Sequence, residues 1–336
     1  MSKVVHLDIH FFDHHRLDEL KQFVAQCNHL PFLEYSVRRE LIVDYVLAEL
    51  SETLSNDGFV LVAKEADEIV GLVDCKKLEW DSTHFGIETA RIDYLLASGD
   101  YLKSLNTKQK LISHMLTESH DRLISHLSAR VNKEDLSSIH ALESKSFRLM
   151  DVLVTYSLNL KNQKGLETAL TYPIRSFNQS DLPKLLDIAS DCFGKAPVAT
   201  DRFHADPVLP KKKSDELYAK WLTNLSKDPS SVLLVAEVDG EPAGFNVCTV
   251  NKLAAEKVGL RVASMILTAV GSSQRNKLLG VSLLNATISW FRDKVDIIES
   301  GGQVSNYPIQ RTWSKTGFKP TRSQCTFHWS VVLAGK

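Results

Sequence analysis

A polar loop between a predicted strand and a predicted helix offers the clearest chemistry in the sequence. Residues 271–277 read GSSQRNK and separate the apolar strand 261–270 from the helix 278–291. A helix N-terminus presents unpaired N–H groups at the positive end of its dipole, so this loop suits a pyrophosphate, and Arg275 and Lys277 add positive charge. The alternative is an ordinary turn with two solvated cations.

Two further stretches combine aromatic and polar side chains. Residues 80–86 read WDSTHFG, and residues 202–206 read RFHAD and are followed by Tyr218 and Trp221. Aromatic rings can stack on a base or a sugar face, while Asp, His and Arg can bind hydroxyls, an ammonium or a diphosphate. Alternatively, the aromatic residues of the first stretch belong to a core and Asp81 caps a turn. Both stretches are predicted to be loops beside a cleft between two domains.

These stretches also contain candidates for proton transfer. His84 and His204 have intrinsic pKa values near neutrality, and Asp81 and Asp206 could attract an ammonium. The residue types alone do not choose among them.

Composition limits the classes of function. The chain has 336 residues, 43% of them hydrophobic and 24% charged, which is typical of a soluble globular protein of about two domains. A net charge of -1 argues against nucleic acid or an anionic membrane as a partner. Without a secretory signal or an apolar run of about 18 to 20 residues, a bacterial protein of this kind is expected in the cytoplasm. The five cysteines are too far apart for a CxxC site, and we expect no metal.

The chain contains an internal repeat. Residues 59–75 (FVLVAKEADEIVGLVDC) match residues 232–248 (VLLVAEVDGEPAGFNVC) at an offset of 173. A second match, of Phe147 with Phe318 and Thr155 with Thr326, has an offset of 171. Two blocks about 80 residues apart at nearly one offset indicate a tandem duplication. We predict domains at 1–160 and 172–336, joined near 160–171.

Each half is predicted to be a mixed α/β domain. The elements expected in the second half are a strand at 172–177, helices at 180–193 and 215–225 after a loop with lysines 211–213, a hairpin at 232–250, and then a strand, helix, strand, helix and strand at 261–270, 278–291, 296–300, 306–315 and 326–332. The elements expected in the first half are helices at 16–27 and 34–50, a hairpin at 59–76, a strand near 89–96, a helix near 106–127, a strand at 128–131 and a helix from 134.

This order of elements resembles the GNAT superfamily of acyl-CoA N-acyltransferases over residues 172–333. The resemblance rests on the strand, basic loop and helix at 261–291, on residues 299–301 in the next strand, and on Asn306 before a helix that ends in Gly317 and Phe318. It implies an α/β fold of two tandem GNAT-like domains, the first a degenerate copy without a basic loop. It also implies acyl-CoA as co-substrate, with backbone N–H groups of 266–270 on the thioester oxygen.

The sequence departs from the family pattern at two positions. The family loop reads Arg or Gln, two residues, Gly, one residue, Gly or Ala, whereas Leu278 follows Arg275 where the first Gly is usual. A Cβ there could crowd the pyrophosphate. The family also places a proton-donating Tyr five residues before the Phe of its Gly-Phe pair, where this chain has Trp313. An indole N–H donates a hydrogen bond but is not a general acid near neutral pH.

Within the superfamily, the two aromatic and polar stretches make the chain similar to bacterial sugar N-acyltransferases. The resemblance implies transfer of an acetyl, short or hydroxylated acyl group to the amino group of a dTDP-linked 3-amino- or 4-amino-dideoxyhexose, for O-antigen or capsule biosynthesis. The implied catalytic residues are Asp81, His84 and His204. The implied acyl-CoA contacts are Leu267, Thr268, Val270, Arg275, Asn276, Lys277, Leu278, Gly280, Val281 and Asn306, the last with a helix cap as alternative. The implied sugar-nucleotide contacts are Trp80, Asp81, His84, Phe85, Arg202, Phe203, His204, Asp206, Tyr218 and Gln303.

Two other functions compete with this one. A tandem GNAT-like aminoacyl transferase that uses charged tRNA would need a basic groove, which the net charge disfavours. A catalytically silent CoA-binding module fits the changes at Leu278 and Trp313. The expected partners are small molecules, and the protein is expected to be a monomer or a homodimer.

Overall fold

The computed structural model describes residues 7–162, 171–194, 200–275 and 277–334. The chain forms two compact units, one made of residues 1–152 and 324–336 and the other of residues 153–323. Each unit is a mixed α/β sheet flanked by helices, as the sequence predicts.

The first unit is built around strands that begin as an antiparallel hairpin. Its elements are β1 (Asp8–Phe11), α1 (Leu20–Gln26), α2 (Arg39–Ser55), β2 (Phe59–Glu65), β3 (Glu68–Lys77), α3 (Glu79–Phe85), β4 (Thr89–Ile92), β5 (Leu95–Ala97), α4 (Tyr101–Asp121), β6 (His126–Asn132), α5 (Leu136–Ser144) and the start of β7 (Arg148–Asn159). Strands β1, β2, β3 and β4 pair antiparallel in that order, β4 pairs parallel with β6, and β6 pairs antiparallel with the end of β13 (Lys319–Ser330), which α12 (Val331–Ala334) follows.

The second unit repeats this plan. Its elements are β8 (Ile174–Ser176), α6 (Leu182–Phe193), α7 (Arg202–Ala205), α8 (Lys211–Leu225), β9 (Val232–Val238), β10 (Glu241–Val250), α9 (Lys252–Lys257), β11 (Val262–Val270), α10 (Leu279–Phe291), β12 (Ile297–Gln303) and α11 (Tyr307–Lys315). Strands β8, β9, β10 and β11 pair antiparallel in order, β11 pairs parallel with β12, and β12 pairs antiparallel with residues 153–159 of β7.

The internal repeat is visible in the strand register. Ala63 pairs with Gly71 across the first hairpin, and Ala236 pairs with Gly244 across the second, an offset of 236 − 63 = 173. Farther along, β6 and β12 start at residues 126 and 297, an offset of 297 − 126 = 171. The tandem duplication inferred from sequence therefore extends to the position of individual elements.

The boundaries of the units differ from the predicted division at 160–171. Residues 153–159 of β7 complete the sheet of the second unit, and residues 324–330 of β13 complete the sheet of the first. Phe327 and Trp329 of β13 accordingly lie in the core of the first unit. The last strand of each half thus lies in the unit built mainly from the other half, which a linear reading of the repeat does not reveal.

Several predicted elements change in detail. Lysines 211–213 form the first turn of α8, not a loop, and residues 80–85 and 202–205 are short helices. Helix α4 begins at Tyr101, five residues before its predicted start. All five cysteines are free thiols. No helix in the described part of the chain is long and apolar enough to cross a membrane.

Candidate active site

Two neighbouring parallel strands of the second unit separate toward their C-terminal ends. The parallel ladder between β11 and β12 ends with the pair Met265 and Ser300, yet β11 continues to Val270 and β12 to Gln303. Ile266 is an extra residue on β11, because Val247 pairs with Leu267 and Cys248 pairs with Met265. Such a bulge bends a strand. Beyond it the facing edges no longer pair, so their backbone N–H and C=O groups are available to a ligand.

An open cleft of about 760 Å³ lies where these strands separate. This is the end of parallel strands at which α/β folds bind ligands. All its lining residues belong to the second unit: Cys192, Phe193, Asp201, Tyr218, Trp221, residues 265–270, Gln274, Arg275, residues 278–281, residues 300–303, Asn306, Pro308, Ile309, Arg311, Thr312, Trp313 and Lys315.

The N-terminus of α10 opens into this cleft without a side-chain cap. Leu278, the residue before the helix, makes no capping hydrogen bond, so the first N–H groups of α10 lack a capping partner from that side chain. Gly280 stands in the first turn, and a Cβ built on it would lie 3.7 Å from Cγ2 of Thr312. The uncapped helix end, with Gly280 exposing its backbone, is suited to an anionic group.

Leu278 has the backbone conformation that a glycine favours. Its φ is +62°, in the left-handed region, and its side chain is 53% exposed. A non-glycine residue in that region costs about 1 kcal/mol or more. Leu278 therefore keeps the left-handed conformation that would favour a glycine, at the position where the resembling family has one.

A buried chain of hydrogen bonds fixes β11 against α10. The hydroxyl of Thr268 donates to Oδ1 of Asn246 at 2.7 Å, and Nδ2 of Asn246 donates to Oγ1 of Thr287 at 2.7 Å. Asn246 is fully buried, and a satisfied buried amide of this kind holds its neighbours rigidly. Because its hydroxyl is engaged, Thr268 faces a ligand with its backbone and not with its side-chain donor.

Arg275 lies in the cleft lining and contacts α6. Its Nη2 is 3.3 Å from Sγ of Cys192 and 3.9 Å from a carboxylate oxygen of Asp191. Burial raises the pKa of the Cys192 thiol, although Arg275 opposes this, so the thiol stays protonated and is not a nucleophile. Lys277 instead reaches Oε1 of Gln274 at 3.3 Å and is not a lining residue. Asn276, the third polar residue predicted to contact acyl-CoA here, lies outside the described residues.

Asn306 and Gln303 line the opposite side of the cleft. Asn306 immediately precedes α11, yet its side chain makes no capping hydrogen bond, so the alternative assignment as a helix cap is not what the structure has. The equivalent residue of the first unit, at 306 − 171 = 135, behaves differently. Asp135 caps α5 by accepting from the Ser138 N–H and also binds Nζ of buried Lys108 at 2.9 Å.

Trp313 is a core residue. It is 1% exposed, its ring centroid lies 5.0 Å from that of Tyr156, and a Cβ on Gly302 would come within 3.0 Å of its Cη2. Its Nε1 is buried and has no hydrogen-bond partner among the described residues. Trp313 therefore packs beneath the cleft, and the tyrosine acid of the resembling family has no counterpart at this position.

The other end of the cleft combines aromatic rings with a carboxylate. Tyr218 lies with its ring centroid 4.8 Å from that of Phe193 and 6.2 Å from that of Trp221. Asp201 lines the cleft beside them and also caps α7 by accepting from the N–H groups of residues 203 and 204. This end can hold a flat or apolar body next to a negative charge.

His204 is held between two carboxylates. Its Nδ1 is 2.9 Å from Asp201 and its Nε2 is 3.5 Å from Asp215. The hydrogen bond to Asp201 raises the pKa of His204 above its ordinary value, against an opposing effect of burial. Burial acts to raise the pKa of Asp201, but the hydrogen bond and charge of His204 outweigh it and leave that pKa lowered. These contacts favour a protonated His204 that orients Asp201. They disfavour a neutral His204 that accepts a proton.

The structure does not bring all the predicted residues together. Leu267, Thr268, Val270, Arg275, Leu278, Gly280, Val281, Gln303, Asn306 and Tyr218 line one cleft. Arg202, Phe203, His204 and Asp206 are not lining residues: the Arg202 guanidinium lies 4.3 Å from the Phe203 ring centroid, and Asp206 is buried and accepts from the Val208 N–H.

The predicted site residues of the stretch 80–86 lie on α3, in the first unit. His84 and Phe85 are buried, and the rings of Trp80 and His84 stack with centroids 5.2 Å apart. The core alternative therefore holds for Phe85, which is buried, but not for Trp80, which is 39% exposed.

Other residues of the lining were not predicted from the sequence. Asp201 carried a detectable signal, because an Asp before a short helix is typical of an N-cap. Pro308, Arg311, Thr312 and Lys315 carried another, since their spacing of three and four residues predicts one helix face. Cys192 and Phe193 carried none, as the end of an apolar helix has no feature that marks a site.

Residues 183–318 match the acetyltransferase (GNAT) family. The match lies entirely within the second unit, and it contains every lining residue of the cleft. A search of curated proteins found none that matches the sequence.

Solved structures of the same fold cover nearly the whole chain. A GCN5-related N-acetyltransferase from Sphaerobacter thermophilus has a TM-score of 0.65 at 12% identity, with 96% of this chain and 95% of that one covered. A tandem GNAT protein from the clavulanic acid biosynthesis pathway has a TM-score of 0.59 at 14% identity, with 98% and 99% covered. A fungal glucosamine N-acetyltransferase region within a multi-domain β-N-acetylglucosaminidase has a TM-score of 0.64 at 13% identity, covering 98% of this chain and 38% of that one. These likenesses establish a tandem GNAT fold.

Proposed function

We propose that the second unit transfers an acyl group from acyl-CoA to a primary amine. The observation that carries this proposal is the cleft itself, in which the separated ends of β11 and β12 and the uncapped N-terminus of α10 face one space. An extended carrier arm fits between strands that no longer pair, and its pyrophosphate fits the helix end.

The chemistry needs three things: a polarised carbonyl, a neutral amine and a departing thiolate. Backbone N–H groups on the free edge of residues 266–270 would hold the thioester oxygen. Asp201 would attract the ammonium, which would lose its proton to solvent in the open cleft before attack, and His204 would fix the orientation of Asp201. Asn306 and Gln303 would bind the amides of the carrier arm. With Trp313 in place of an acid, the thiolate would leave unprotonated and take up a proton from solvent, which is feasible because an ordinary thiol has a pKa of only about 8.5.

For the acceptor we propose a dTDP-linked 3-amino- or 4-amino-dideoxyhexose, used in surface polysaccharide biosynthesis. Phe193, Tyr218 and Trp221 offer stacking surfaces for thymine or a deoxy sugar, beside the Asp201 carboxylate. The fungal region of the same fold is named a glucosamine N-acetyltransferase, so an amino sugar is an acceptor that this fold can serve.

The test is release of free CoA thiol from a panel of acyl-CoAs, with and without dTDP-linked 3-amino and 4-amino dideoxy sugars. Thiol release that depends on one sugar supports both the reaction and the acceptor. Release with other amines but none of these sugars would reject the acceptor and keep the reaction.

A catalytically silent CoA-binding module is the second candidate, favoured by the burial of Trp313 where the family acid stands. Tight binding of acyl-CoA with no turnover on any amine would support it over the enzyme. Turnover by the unaltered protein would reject it, and loss of that turnover in Asp201→Asn with acyl-CoA binding unchanged would assign the activity to this cleft.

A further inference from the structure

The face of α11 that lines the cleft carries two cations whose role the reaction does not explain. Pro308, Arg311, Thr312 and Lys315 all line the cleft. Their spacing places them on one side of the helix, in a row that is about 10 Å long from Pro308 to Lys315. Arg311 and Lys315 are exposed and have no hydrogen-bond or ion-pair partner among the described residues. Two unpaired cations on a cleft wall indicate an anion that the protein itself does not supply.

The order of residues along α11 shows which part of a carrier these cations would meet. Asn306 stands before the helix, at the separated strand ends. Thr312 faces Gly280 in the first turn of α10, since a Cβ on Gly280 would lie 3.7 Å from Thr312. Lys315 is the last residue of the helix, about 4.5 Å farther along the axis than Thr312. Arg311 lies beside Thr312 and Lys315 beyond it, so a carrier whose arm starts at the strand ends and whose pyrophosphate lies at α10 would bring its nucleoside end to these two cations.

We propose that Arg311 and Lys315 bind the 3′-phosphate of CoA, and so select CoA thioesters over dephospho-CoA and over carriers that present phosphopantetheine without a nucleotide. This inference rests on the proposed function, because it takes the cleft to be the donor site. A phosphate monoester carries close to two negative charges at neutral pH, so two cations match it. Arg275, the other cation of the lining, is engaged by Cys192 and lies on the loop before α10.

The test measures the dissociation constants of CoA and dephospho-CoA by isothermal titration calorimetry, with the full chain at fixed ionic strength. Neither measurement needs the acceptor. We expect CoA to bind about tenfold more tightly than dephospho-CoA, from two solvent-exposed charge pairs. In the double variant Arg311→Ala and Lys315→Ala, this preference should disappear while the affinity for dephospho-CoA stays the same.

A matched control is the double variant Lys227→Ala and Lys319→Ala, which removes two exposed lysines of the same unit that do not line the cleft. It should keep the tenfold preference. Equal binding of the two ligands by the unaltered protein would overturn the inference and leave the donor site intact. A preference that survives in the double variant would also overturn it, as would weaker binding of both ligands to the same degree. Failure of both ligands to bind would instead reject the donor site and with it the proposed function.

Discussion

Substitutions of Gly280 should change the stability of the fold and the affinity for the donor separately. A Cβ at this position would meet Cγ2 of Thr312 at 3.7 Å and Cγ2 of Val270 at 4.0 Å, which are ordinary contacts. Alanine therefore fits, and because it restricts the unfolded chain and favours a helix, Gly280→Ala should stabilise the protein by about 0.5 to 1 kcal/mol. For a unit of this size that corresponds to roughly 1 to 4 °C in the melting temperature.

The same position should be intolerant of a larger side chain when the donor binds. Leucine would project toward Val270 and Thr312, both of which line the cleft. Loss of one or two charge-assisted hydrogen bonds from α10 to a pyrophosphate, each about 1.5 to 2 kcal/mol, predicts that Gly280→Leu binds acetyl-CoA about 10- to 1000-fold more weakly. Thermal unfolding and calorimetric titration of the two variants measure these effects separately.

Gly244 provides the contrasting control. A Cβ there would lie 2.9 Å from the backbone oxygen of Ala269, so Gly244→Ala should destabilise the fold, whereas Gly280→Ala should not. If Gly280→Leu unfolds at an unchanged temperature and binds acetyl-CoA within twofold of the unaltered protein, the donor does not pass the N-terminus of α10.

Three further outcomes follow from charges and caps. Because the pKa of His204 is raised in the folded protein, its charge stabilises the fold below about pH 6.5. This contribution is lost as the pH rises through the folded pKa. The urea concentration at the midpoint of unfolding should therefore fall over that pH range in the unaltered protein and not in His204→Asn. Hydrogen bonds from Arg261 lower the pKa of Asp296 to about 2, so its contribution is present above pH 4 and lost as the pH falls toward 2; Asp296→Asn should remove about 1 to 2 kcal/mol at pH 7 and flatten that acid limb. Because the Asp100 carboxylate caps α4, we expect the first unit not to bind CoA. Calorimetric titration should then find one CoA per chain, and two per chain would contradict a single donor site.

The sequence identified the parts of the fold that depend on local pattern. The hairpins, the loop before α10 and the helix after Asn306 all have short-range signals, and the repeat extends them across both halves. The placement of the last strands could not be read in this way. The strands that contain Thr155 and Thr326 have the same local pattern whichever unit they join. Their pairing partners lie between 297 − 159 = 138 and 330 − 126 = 204 residues away, and such distant pairing leaves no local trace.

The lining residues beside α10 and α11 were easier to predict than those at the aromatic end of the cleft. Arg275, Gly280 and Asn306 are recognisable because backbone geometry ties them to fixed positions beside a helix end. An acceptor end is built from side chains on separate helices, such as Tyr218 and Asp201, and only packing brings these together. His204 is an example. Its residue type suggests a suitable pKa, but the sequence does not show that the carboxylates of Asp201 and Asp215 lie on either side of it.

The two units differ in the connection between strand and helix that lines the cleft of the second unit. Eight residues separate β11 from α10, but three separate β5 from α4, so the first unit has no room for the loop that carries Arg275. Its helix end is closed by the Asp100 carboxylate, which accepts from the Lys103 N–H and would repel a pyrophosphate.

A similar difference exists between the N-termini of α5 and α11, where contacts within the protein occupy the first unit's side chain. The position that holds Asn306 in the second unit holds Asp135 in the first, where Lys108 and Ser138 satisfy its carboxylate. A buried pair of this kind is costly to break, because removal of one partner leaves an uncompensated charge. An arm entering between β4 and β6 would have to displace these contacts as well as water. A shorter loop and two acidic residues therefore predict that the first unit does not bind the donor.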